Sequence, residues 1–247
     1  MTNHDKLDFG TDEVHNFGGA AVPGVKWKMF IAVWMLLGIN LVFLYVGPVK
    51  GFMFPEGARL ILFHVPCAWL ATLCYVVGAV YAIKFLTGAS KMKPAELEST
   101  DFKVAASMEL GLLFSILTTI TGSIFAKLQW GMFWNWDPRE TSIVIICSLF
   151  AAYIVLRSAV TDPDKRARLC SAYALVAIIP GLFLIWVLPR IVDTLHEGAN
   201  SAVIGGGLGG GYRLVMYFFV LPSYIGTFIW LFQLRVRSAK LVEGRFA

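Results

Sequence analysis

Residues 66–86 read PCAWLATLCYVVGAVYAIKFL, a run whose only charge is Lys84 near its far end. A stretch of about 20 apolar residues is what one helix needs to cross the hydrocarbon core of a bilayer. Five further runs of this kind lie near 28–47, 105–125, 141–160, 169–188 and 214–234. The whole chain of 247 residues is 57% hydrophobic and only 15% charged, against about 25% charged in soluble domains. These numbers exclude an ordinary soluble enzyme and predict an all-α polytopic membrane protein with six transmembrane helices. The expected division is an N-terminal tail over 1–26, a membrane domain over 27–235 and a C-terminal tail over 236–247. The connections are too short for a separate folded domain, so any chemistry must sit in the spans or in their loops.

The net charge of +5 does not indicate nucleic acid, because the basic residues form no basic face. They sort by side instead. Fifteen of the 21 lysines and arginines fall on the side that carries both termini, among them Lys84, Lys91, Lys93, Arg157, Lys165, Arg166, Arg235 and Arg237. The positive-inside rule therefore predicts cytoplasmic termini and three outward loops, near 48–65, 126–140 and 189–213. The first apolar run follows a polar tail and is long enough to span, so it reads as a helix and not as a cleaved signal. Cys67, Cys74, Cys147 and Cys170 all lie in or at the ends of spans without a C-x-x-C pair, which predicts packing roles rather than thiol chemistry. The GGGLGGG run at 205–211 lacks the preceding strand that a phosphate-binding turn requires, and it reads as a hinge in the third outward loop.

The second outward loop, AKLQWGMFWNWDPRE at 126–140, gathers Trp130, Trp134 and Trp136 with Phe133, and then Asp137 and Arg139. Tryptophans do collect at membrane interfaces as a belt. Three within seven residues also make a local apolar surface suited to a planar ligand or to a partner's apolar patch. His4 and His15 lie in the N-terminal tail and read as solvated. His64 precedes Val65 and Pro66, and a helix starting at that proline would leave His64 at the mouth of the second span. His196 follows Pro189 and falls in the third outward loop. Each histidine alone reads as a surface residue. Together with an aromatic shelf they suit the iron of a haem, which takes nitrogen axial ligands and an apolar wall. Arg59, Arg139 and Arg190 are near in sequence and can serve as ordinary outer-face charges or as partners of two propionates. Glu109, inside the third span, motivates a solute or ion transporter, although it lies about one turn from the span's end.

The run WGMFWNWDPRET at 130–141 resembles the tryptophan-rich WWD signature of the haem-handling proteins of cytochrome c maturation. Six spans, RLILFHVP at 59–66 and DTLHEG at 193–198 are most similar to the CcmC branch of that superfamily. The resemblance covers the whole membrane region. It implies haem b bound as cargo on the periplasmic side of the bacterial inner membrane, with His64 and His196 as axial ligands. Trp130, Trp134, Trp136 and Asp137 would form the platform, and Arg59, Arg139 and Arg190 would be the propionate candidates. It further implies hand-over to the haem chaperone CcmE beside CcmA, CcmB and CcmD, without bond-making by this chain. The ending PRET is also similar to the CcsA-type cytochrome c synthase, a haem ligase, which is the alternative reading. That branch carries additional histidines within its spans.

Overall fold

The computed structural model describes residues 24–196 and 208–243. His4, His15, most of the expected N-terminal tail and Gly205 to Gly207 lie outside the described residues. Six helices long and apolar enough to cross a membrane are present, and no strand occurs among the described residues. They are α1 (Val25–Leu44), α2 (Ile61–Gly88), α3 (Pro94–Trp130), α4 (Pro138–Ala159), α5 (Pro163–Leu182) and α6 (Leu221–Glu243). A 3₁₀ segment, Pro55–Leu60, leads directly into α2. Helix α5 continues through a π-helical turn, Phe183–Val187, and a last turn, Leu188–Ile191. Helix α6 is preceded by Gly210–Leu214 and a second π-helical turn, Val215–Val220.

Prolines set most of the starts. Pro94, Pro138 and Pro163 each stand in the first turn of a helix, where the missing N–H has no helical partner to lose and the fixed φ already suits the helix. Pro66 behaves differently from expectation. The second span does not begin there, because the chain is already helical from Pro55 and Pro66 lies inside α2. A proline within a helix's first turns leaves unmade only a bond to a carbonyl just upstream, so the helix can run through it. His64 therefore belongs to the helix and not to its mouth. The second outer loop is shorter than expected, 131–137 separating α3 from α4, and at the opposite end of the bundle α6 runs on past residue 235 to Glu243.

Helices α2 and α3 form the principal pair, and α4, α5 and α6 pack around them, while α1 lies at the edge against α6 and the π turn before it. The main core joins Tyr75, Met108, Phe114, Phe150 and Tyr153. Tyr75 and Phe150 stack with ring centroids 4.0 Å apart. At one end of the bundle Arg157 donates two hydrogen bonds to Asp101, at 2.9 and 2.6 Å. Both side chains are largely buried there, so each neutralises a charge that would be costly alone. Nearby Arg235 forms a two-point pair with Glu109. The other end carries the loops 45–54, 131–137 and 192–196. Gln129 on α3 exchanges two hydrogen bonds with the Phe54 backbone, at 3.3 and 2.9 Å, which ties the first loop to the end of α3.

Candidate functional site

Between α2, α3, α4 and the end of α5, at the loop end of the bundle, lies a cavity of about 110 Å³ with an open mouth. Its wall contains His64, Thr118, Gly122, Trp134, Arg139, Glu140, Ile185, Pro189 and His196. The two histidines come from different parts of the chain and share one chamber.

His64 projects from α2 towards α3. Its Nδ1 is 3.1 Å from the Thr118 carbonyl oxygen and 3.2 Å from Thr121 Oγ1. A carbonyl can only accept, so Nδ1 carries the hydrogen and Nε2 keeps its lone pair. Thr121 in turn donates to Leu117 O at 2.7 Å, which leaves its oxygen facing His64 as acceptor. The ring fits because residue 122 is glycine: a Cβ there would stand 2.8 Å from His64 Cε1, inside van der Waals contact.

His196 is held by Asp137. Its Nδ1 lies 3.0 Å from Asp137 Oδ1, and the carboxylate also accepts from Thr194 Oγ1 at 2.9 and 2.7 Å, Leu195 N at 2.6 Å and Arg139 N at 2.9 Å. The Asp137 side chain is 1% exposed. Burial pushes its carboxyl up, but the hydrogen bonds from His196, Thr194 and the Arg139 and Leu195 amides outweigh burial and hold it well below the usual carboxylate range. A carboxylate so fixed takes the Nδ1 hydrogen of His196 and again frees Nε2.

The loop that carries Asp137 has its own internal support. Asp137 is the N-cap of α4, with Pro138 at N1 and Glu140 completing a capping box. Glu140 also accepts from Asn135 N at 2.6 Å. Gly131 ends α3 with a φ of 84°, a left-handed conformation that favours glycine. Trp136 adopts φ 57° without being glycine, which costs about 1–2 kcal/mol, and the residue is 78% exposed.

The three indoles do not form one flat shelf. Trp134 lines the cavity, and Trp136 meets it edge-on at 6.0 Å and 87°. Trp130 stands behind His196, edge-on at 4.9 Å and 70°, where it fixes the imidazole plane. The arginines separate as well. Arg59 donates through Nε and Nη2 to Val46 O, at 3.1 and 2.9 Å. Arg190 lies over the Trp186 ring, 5.5 Å from its centroid, and donates to the Trp186 carbonyl. Neither is in the cavity wall. Arg139 is, and its buried Nε has no hydrogen-bond partner among the described residues. Sequence reading missed Thr118, Thr121, Gly122, Glu140 and Thr194. The D-P-R-E run does carry the capping signal for Glu140, while the others have none, since each acts across tertiary contacts or a turn.

The family model described as heme exporter protein C matches residues 12–243. A heme exporter protein C of Paracoccus denitrificans is 29% identical over 199 residues, 78% of this chain and 79% of that protein. That of Escherichia coli is 31% identical over 174 residues, 68% and 67% respectively. That of Bradyrhizobium diazoefficiens is 29% identical over 155 residues, with the match spanning 62% of this chain and just over half, 56%, of the relative. With nearly all of the membrane region matched and one cavity gathering the WWD loop and both histidines, the chain belongs to the heme exporter protein C family.

Proposed function

We propose that this chain binds haem b as cargo between His64 and His196 on the periplasmic side of a bacterial inner membrane, and delivers it to the chaperone CcmE for c-type cytochrome maturation. The observation that carries the reading is the pair of imidazoles in one cavity, each with Nδ1 engaged by an acceptor and Nε2 left with a lone pair. Haem iron takes two such nitrogens. The orphaned Nε of Arg139 suits a propionate, an anionic bidentate acceptor. Arg59 and Arg190, each already bonded to a carbonyl, are the lesser propionate partners. Trp134 supplies the apolar wall, and Trp136, held outward at some backbone cost, is a contact point for the receiving chaperone.

The orientation rests on the basic residues, concentrated at the end of the bundle away from the cavity. Cytoplasmic 1–26 and 236–247 tails and a membrane domain over 27–235 belong to the same proposal. The family's name implies export, and this chain's sequence carries no nucleotide-binding loop, so directional energy would come from CcmA and CcmB with CcmD. The transporter reading loses its motive, because Glu109 is occupied by Arg235.

The test begins with a visible spectrum of the purified protein with haemin. The expected result is a six-coordinate low-spin haem that His64→Ala and His196→Ala each convert or lose. An unchanged spectrum in either variant overturns the ligand assignment. Replacing Trp134 and Trp136 together with alanine should leave insertion intact and lower the amount of haem-loaded CcmE in membranes. Unaltered loading would overturn the hand-over role of the loop.

A further inference from the structure

The two histidines differ in what stands behind them. His196 Nδ1 faces the Asp137 carboxylate at 3.0 Å, inside a clamp that Thr194 closes by bonding both carboxylate oxygens. His64 Nδ1 faces only neutral acceptors, the Thr118 carbonyl and the Thr121 hydroxyl. A ring N–H donated to an anion gives the opposite nitrogen more electron density than one donated to a carbonyl, and so makes it a stronger metal ligand.

We infer that the two axial bonds are unequal, with His196 the retained ligand and His64 the one that opens when haem is handed over. This rests on the haem-binding reading above. The positions of the two residues agree with that order. His64 is seated in α2 against Gly122 of α3, the most extensively packed pair of the bundle, and cannot follow a departing haem. His196 stands in a loop at the cavity's end and is clamped to the WWD loop through Asp137. Opening at His64 leaves the haem attached to the loops that face water and free of the span beneath. The opposite order would leave it attached to the transmembrane wall, behind the tryptophans. Thr194, Thr118 and Thr121 thereby become positioning residues that act through the ligands and set their difference.

The experiment uses the full chain loaded with haem, reduced with dithionite and exposed to carbon monoxide, which takes the place of the weaker ligand. Resonance Raman of the photolysed product reads the stretching band of the iron–histidine bond that remains. The expected band coincides with that of ferrous His64→Gly, where only His196 can bind. It lies above that of ferrous His196→Gly, falls in Asp137→Asn and is unmoved in Thr121→Val. Thr194→Val, which keeps the carboxylate and loosens its clamp, should lower the band in the same direction and stands in if Asp137→Asn fails to fold. A photoproduct band that matches His196→Gly, or one that moves with Thr121→Val and not with the Asp137 and Thr194 variants, overturns the inference while leaving haem binding in place. A wild-type protein without a six-coordinate haem spectrum overturns the haem-binding reading, and this inference falls with it.

Discussion

At the scale of single residues, Asp137 does the most with the least surface. One buried carboxylate caps α4, holds the Leu195 amide and the Thr194 hydroxyl, and orients His196. Its folded acidity has a consequence for pH. Because hydrogen bonds hold the carboxyl below its unfolded value of about 3.9, the stabilisation it gives is complete above that value and is lost as pH falls through the lower folded one. Between pH 7 and 5 Asp137 should therefore add no pH dependence to the loop. The intrinsic tryptophan fluorescence of wild type and Asp137→Asn should differ at pH 6, and the difference should begin to shrink only below about pH 4. A wild-type signal that titrates near neutrality would show that some other group controls the loop.

At the scale of elements, the site depends on how helices begin and how closely they approach. The Asp137–Pro138–Glu140 start of α4 fixes the loop from within. Glu140→Ala should cost about 1 kcal/mol of stability through the lost cap, and should also loosen Asn135, whose amide it accepts. Thermal unfolding in detergent measures the first effect and the haem spectrum the second. On α3 the decisive feature is an absence of side chain: Gly122→Ala would place a methyl 2.8 Å from His64 Cε1. The ring must then turn from its two acceptors. Weakened six-coordination with the protein level maintained is the expected outcome, and an unperturbed low-spin spectrum would mean that the ring has room to spare. The π-helical turn at Phe183–Val187 acts at this scale too, because it follows Pro180 inside α5 and brings Leu184 and Ile185 to the cavity wall. Such turns commonly mark places where a helix is adjusted to a site.

At the scale of the whole molecule, alternation of six spans puts 45–54, 131–137 and 192–196 at one end and the Asp101–Arg157 pair at the other. With positive charge concentrated at the latter end, single cysteines placed at residues 51, 133 and 193 should react with an impermeant reagent from outside intact cells, and one at residue 91 should not. The reverse pattern would invert the proposed orientation. The sequence by itself determined the all-α architecture, the number of spans and the loops that meet, because apolar length and charge asymmetry are properties of the chain read in order. It also supplied His64, His196 and the WWD run, since histidines and clustered tryptophans are conspicuous in an apolar background. Only the tertiary structure decided that His64 lies within α2, that the three tryptophans take three different positions, and that Arg139 alone among the three arginines enters the cavity. It alone paired Glu109 with Arg235 and put a carboxylate behind one histidine and a carbonyl behind the other. Those outcomes depend on which atoms meet across helices and loops far apart in the chain. Helical periodicity and composition carry the shape of each element, but the partner of a hydrogen bond between elements is fixed only when they pack.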